Sequence, residues 1–343
     1  MFTTGTKKGL MIFSPIIAVL ALIVILSWWF TNTNNDTNRN ENKTKISLGI
    51  ATWAGFGTGI VGMEKGYFST IDLVTKTLDD ARARQAAFVS GDIDIMISSV
   101  DLYAQESAKG IQGKMILVTD ESQGGDGIVA KPEIKNVTDL RGKKVAYAHG
   151  GPSDYLLFKV LDDAGVKLEE VKRIAVDDPS RAGEVFLSGD VDAAVTWEPF
   201  LSNTAESGKG YILITTKEKP EIIVDILVAS DKLVNNEKLL RKFLDGWLKS
   251  VIFIKEHPDE AAGIMAKGLN LPIGDVQGMM TGLKFADRER NLYFFDAVPP
   301  ANTRLDKLFD EAGAYWKSVD IVKNPIDGST RISTTSARYF NFR

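Results

Sequence analysis

The chain has 343 residues, 44% of them hydrophobic, with 41 Lys plus Arg against 45 Asp plus Glu and a formal net charge of −4. That length suits two globular domains, and the charge offers no basic face of the kind nucleic acid requires. The absence of cysteine excludes disulfides, thiolate metal sites, a Cys nucleophile and a lipid-modified Cys at a mature N-terminus.

In chain order, Lys7 and Lys8 precede an apolar run from Leu10 to Phe30. Lysines before an apolar run read as an export signal, cytoplasmic end first. The run is long enough, at roughly 20 residues, to span a bilayer, and Trp28 and Trp29 fall where an interfacial belt would lie. A removed signal and an uncleaved anchor both remain open. No A-x-A site is evident, which favours the anchor, and both readings put the rest of the chain outside the cytoplasmic membrane. The Asn-rich segment Thr31–Lys45 cannot form a core and reads as a tether. The expected division is a signal or anchor over 1–30, a linker over 31–44, a first lobe over 45–127, a second over 128–226, and a return to the first lobe with C-terminal helices over 227–343.

Lys45–Ala51 alternates and is β-branched, which predicts a strand. A Gly-rich turn, Trp53–Gly59, and a short helix ended by Gly66 follow. The phrase F-x-S-G-D-[I/V]-D then occurs at Phe88–Asp94 and again at Phe186–Asp192. Each copy ends a helical pattern (Asp80–Gly91, Asp178–Gly189) and opens an apolar strand (Ile93–Ser99, Val191–Trp197). The phenylalanine is expected to pack the helix on the sheet, Gly to stop it and Asp to aid the turn. A second echo joins Asp126–Ile134 to Asp225–Leu233, both predicted as strands leading from one lobe to the other. Between them lie a strand in Leu140–Gly150 and a helix over Gly151–Gly165 that starts with Pro152 and Ser153. From about Asn235 the pattern is helical.

Two α/β lobes follow, the second inserted between two crossover strands. Ligands of open α/β sheets bind outside the carboxyl ends of the strands. The loops Ser98–Asp101 and Trp197–Phe200 should therefore face each other across a cleft.

Three segments, KISLGIATWAGFG with MEKGYF, DLRGKKVAYAHGGPSDYLL and VDAAVTWEPF, carry a resemblance in their order and spacing. Over roughly Lys45–Ser318 the chain resembles the periplasmic substrate-binding proteins of ABC importers, in the group that takes up nitrate, sulfonates, taurine and thiamine-precursor pyrimidines. The resemblance implies a two-lobe periplasmic-binding-protein fold, type II like, with two hinge strands closing on one small ligand. It implies permease and ATPase subunits as partners, with ATP hydrolysed elsewhere, and a monomeric chain without a cofactor. Many relatives carry a lipobox cysteine; this chain lacks it, and its N-terminal segment would serve as the membrane attachment.

The candidate ligand contacts come from these loops. In the first lobe they are Trp53 as a flat wall, Gly55 and Thr58 at a helix start, and Ser98, Ser99 and Asp101 after the phrase strand. In the second they are Gly151, Ser153 and Asp154 at another helix start, where free N–H groups favour an anionic group. Gly150 beside them permits close approach. Trp197 and Glu198 complete the set by the resemblance, with Asp225, and less so Asp126, at the crossings. Each has a plainer alternative: core packing for Trp53, an N-cap for Ser153, a hinge-lysine partner for Glu198, hinge capping for Asp225 and Asp126. The loops hold Asp101, Asp126, Asp154, Glu198 and Asp225 and no Lys or Arg. A ligand bearing N–H donors or a cationic nitrogen, such as a taurine-like zwitterion or an aminopyrimidine, fits that set better than a bare anion.

Two rival classes remain. The same two-lobe fold hosts enzymes, but only His149 and His257 are present as histidines and only His149 is placed to reach the cleft. An anchored sensor lobe is the other. Neither metal-ligand spacing nor a phosphate-binding loop is evident in the sequence.

Overall fold

The computed structural model describes residues 43–298 and 302–342. The described residues from Thr44 onward form one compact unit. The apolar run Leu10–Phe30 and the tether up to residue 42 lie outside the described residues. Among the described residues no helix is long and apolar enough to cross a membrane.

Eleven strands are described: β1 Thr44–Ile50, β2 Ile71–Thr77, β3 Ile95–Ser99, β4 Lys114–Ser122, β5 Asp126–Ala130, β6 Lys144–Ala148, β7 Lys172–Val176, β8 Ala193–Trp197, β9 Tyr211–Thr215, β10 Val224–Ala229 and β11 Leu283–Phe285. They build two sheets. The first has the order β11-β4-β10-β3-β1-β2 and the second β7-β6-β8-β5-β9. In each, one strand is antiparallel to the phrase strand and to the strand on its other side: β10 between β3 and β4, β5 between β8 and β9. The remaining pairs beyond β3 and β8 are parallel. The apolar runs Ile95–Ser99 and Ala193–Val195 are buried, as central strands of covered sheets must be.

The repeated phrase makes the same joint twice. Asp80 and Asp178 cap the N-termini of the helices Ala81–Ser90 and Pro179–Ser188. Gly91 and Gly189 end them in the left-handed region, φ 79° and 90°, each donating its N–H to the phenylalanine carbonyl. Phe88 and Phe186 are buried. The last Asp of each phrase stitches the next strand on: Asp94 accepts from Ser47 N at 2.9 Å and Asp192 from Lys144 N at 2.9 Å. The second echo is also explained. Rather than running between the lobes, β5 and β10 each follow a crossing and occupy the same place in their own sheets. Asp126 stands opposite Trp197 there, as Asp225 stands opposite Ser99.

The chain leaves the first sheet between β4 and β5 and returns between β9 and β10. The two passages are tied together: Ser122 and Thr216 share a hydrogen bond at 2.8 Å, and Thr216 accepts from Gly124 N. Beside them, Arg290 clasps Glu121 and Glu221, and Arg304 clasps Glu221. The helix Arg304–Ser318 returns to the first lobe, packing along the helix Val100–Ala108. It buries Leu305, Phe309 and Trp316.

Candidate functional site

The register of three neighbouring strands sets a buried polar row, the candidate floor of a ligand site. Asp225 pairs with Ser99 on one side and Asp120 on the other. Register partners share a sheet face, so Ser99, Asp225 and Asp120 form a row where β3 ends and β4 and β10 meet the crossings. Asp101 follows two residues after Ser99, in the first turn of the helix Val100–Ala108. All four are buried.

Their polar atoms are poorly met. Ser99 Oγ, Asp120 Oδ1 and both Asp101 carboxyl oxygens have no protein donor. Thr119 Oγ1 supplies Asp120 Oδ2 at 2.8 Å. Burial of a carboxylate away from water disfavours its charge. It pushes Asp101 up to about 7 and Asp126 up to about 6. Burial also raises Asp120 and Asp225. The nearby charges of Asp120, Asp126 and Asp101 raise Asp225 further. Asp120 abuts the turn after β1: a Cβ at Gly55 would stand 2.3 Å from Asp120 Oδ2. Glycine there is a steric necessity for this approach.

Trp53 and Trp197 meet from opposite lobes, stacked with ring centroids 5.8 Å apart and planes at 25°. Trp53 is buried, whereas Trp197 is half-buried at the end of β8. Glu198 N donates to Gly125 O at 2.8 Å, across the crossing, and the Glu198–Pro199 peptide is cis. The Glu198 carboxylate accepts from Ser202 Oγ at 2.7 Å and Ser202 N at 3.2 Å, capping the next helix turn. Its charge reaches Asp126 and raises it.

The remaining candidates lie elsewhere. Thr58 is buried and bonds Gly55 O within its own turn. Ser98 faces away from the row and donates to Glu106 at 2.9 Å. Gly151 is the uncapped start of the helix Pro152–Asp163, with open space where a side chain would sit. Ser153 is buried in its first turn. Asp154 is fully engaged: it accepts from Gly150 N at 3.0 Å, from Tyr315 Oη at 2.7 Å, pairs with His149 Nδ1 at 2.9 Å and faces Arg173 at 3.7 Å. Tyr315 also stacks on Phe158, centroids 4.1 Å apart. Asp154 therefore straps the second lobe to the C-terminal helix, with Gln105 reaching Gly150 O beside it.

Asp120, Tyr315 and Arg173 were absent from the sequence-derived set. Asp120 lies within the apolar strand KMILVTDES, without the turn residues that draw attention to a loop. Its place just before the crossing QGGDG was the available signal. Among the described residues no group of three or more His, Cys, Asp or Glu is arranged to hold a metal ion. A separate groove of about 420 Å3 on the first lobe, lined by Lys114, Glu237, Ser329 and Thr335 among others, does not include these residues.

Comparison with known proteins agrees with this architecture. The chain is 26% identical over 230 residues to a binding protein of Brucella abortus, 65% of this chain and 70% of that one. Its fold matches the periplasmic aliphatic sulphonate binding protein SsuA from Escherichia coli with a TM-score of 0.72, covering 88% of this chain and 99% of that one at 17% identity. The desulfurization enzyme DSZB shares the fold, with a TM-score of 0.63, 13% identity and coverage of 87% and 98%. The family described as NMT1/THI5 like matches residues 53–261, the two crossings and both copies of the phrase included, and the chain belongs to that family.

Proposed function

We infer that this protein is the extracytoplasmic solute-binding component of an ABC importer, closing two lobes on a small polar ligand. The observation that carries the reading is the cleft itself. An indole from each lobe stacks on the other, and the strand ends of the first lobe carry buried hydroxyl and carboxyl groups with unmet hydrogen-bonding capacity. Such groups are costly unless a partner arrives, and a binding protein needs only differential affinity for its closed state. The similarity to SsuA supports a ligand of the sulfonate or taurine class and a location outside the cytoplasmic membrane. The acidic floor supports a ligand that also offers N–H donors, as taurine or an aminopyrimidine does. Permease and ATPase subunits are then the partners, and the N-terminal apolar run is the attachment or the export signal.

An enzyme on this fold is the second reading, since DSZB has it. His149 and Asp154 are paired, but Asp154 is also taken up by Tyr315 and Arg173. A thermal-shift screen with taurine, alkanesulfonates, nitrate and aminopyrimidines tests the proposal. A ligand at a hundred times its Kd adds about 2.7 kcal/mol. A shift with unaltered compound recovered afterwards supports binding; conversion of the compound would establish an enzyme.

A further inference from the structure

The floor of the cleft contains more acid than its surroundings neutralise. Asp225 on β10 is in register with Asp120 on β4, and the charges of Asp126 on β5 and Asp101 on the helix after β3 also reach it. Asp120 also senses Glu121, Asp126 senses Glu198, and Asp101 senses Glu106. The cations packed nearby are committed elsewhere. Arg84, on the helix Ala81–Ser90, has a charge that reaches Asp225, and its guanidinium donates to Ile97 O and Leu78 O, with the charges of Glu106, Asp79 and Asp80 acting on it as well. Arg290 and Arg304 are bound to Glu121 and Glu221. Ser99 Oγ, in register with Asp225, is buried and unpartnered.

We propose that this floor exchanges protons for a ligand cation: in the ligand-free protein the carboxyl groups of Asp101, Asp120 and Asp225 retain protons, and an ammonium entering beside them expels one to solvent. The inference rests on the solute-binding reading above. The step balances: a carboxyl O–H breaks, its proton passes to water, and the carboxylate accepts an N–H of the incoming ammonium. Buried carboxyls on register partners such as Asp120 and Asp225 disfavour each other's ionisation, and the ligand supplies the counter-charge. The raised protonation of the buried carboxyls agrees with this geometry. Capture is then linked to external pH. Acid conditions weaken the hold on a cationic solute and leave a neutral one nearly unaffected.

Taurine and isethionate form the probe pair, because they differ only in an ammonium against a hydroxyl. Titration calorimetry on the full chain, in buffers of different ionisation enthalpy between pH 5.5 and 7.5, reads affinity and proton release together. One proton exchanged gives about a tenfold change in Kd per pH unit. Taurine should tighten toward that slope with protons released, and isethionate should not. Asp120→Asn should flatten the taurine slope. Carbon-13 NMR of labelled aspartate carboxyls supplies a readout that needs no ligand, and at least one of the three should hold its proton at pH 6. Three carboxyls that all titrate near 4 would overturn the exchange. Taurine binding without proton release would overturn it too, while leaving the solute-binding reading in place. Failure of both compounds to bind at either pH, with protonated carboxyls observed, would remove the exchange and the sulfonate-class ligand together.

Discussion

Trp53 of the first lobe and Trp197 of the second stack at 5.8 Å, so the two halves of the protein touch through their indole faces. Each ring is placed by a strand end, Trp53 three residues beyond β1 and Trp197 as the last residue of β8. Stacked aromatic pairs contribute about 0.5–1.5 kcal/mol beyond the area they bury. That is enough to bias closure without locking it.

Trp197→Ala removes the half-buried partner of this pair. Its expected effect is a fall of more than tenfold in affinity for whichever compound the screen identifies, with little change in melting temperature. Calorimetry and thermal melts separate the two effects. Unchanged affinity would take the indole out of the ligand's path.

Tyr315 holds Asp154 from the far side of the lobe boundary at 2.7 Å. Loss of one partner from a buried charged acceptor costs about 1–3 kcal/mol. Tyr315→Phe should destabilise the protein by that order in urea unfolding. A loss near zero would mean that His149, Gly150 and Arg173 satisfy Asp154 without it.

Stability should fall as pH rises. The native carboxyls of Asp101, Asp126 and Asp225 are raised above their usual range, chiefly by burial. The folded state therefore binds more protons than the unfolded one above about pH 4. Their contribution is complete below that pH and is lost as pH passes through 6 and 7. The melting temperature should be higher at pH 5 than at pH 8, and Asp120→Asn should reduce the difference by removing a like charge from Asp225. A rising melting temperature over the same interval would contradict the protonated floor.

Gly91 and Gly189 occupy the same left-handed stop in the two lobes, with nothing within 4 Å of an added Cβ. Gly91→Ala and Gly189→Ala should each cost about 1–2 kcal/mol from backbone strain alone. Similar costs would show that the two joints are energetically equivalent; a cost confined to one would deny it.

Much of the architecture was legible because its signals are local. Asp80, Gly91, Asp178 and Gly189 act on helix ends within a few residues of themselves. The apolar runs that became β3 and β8 are short enough to be recognised unaided. Ser99 and Asp225 share one row with Asp101 just beyond it, Trp53 stacks on Trp197, and Gly55 lies against Asp120. Ser98 and Asp154 were drawn in by position and turn elsewhere, one to Glu106 and the other to Tyr315. Adjacent residues of a strand point to opposite faces, so Ser98 and Ser99 cannot both line the floor.

By itself, the sequence determined the two-lobe α/β plan, the duplicated helix–strand joint and the acidic character of the loops after the phrase strands. Caps, stops and apolar periodicity are properties of neighbouring residues, and they survive without a fold to read them in. Tertiary structure alone decided that Asp120 faces Asp225, that β5 and β10 are inserted antiparallel strands, and that Tyr315 engages Asp154. Those relations join residues far apart in the chain, and strand order and register create them only when the sheets assemble.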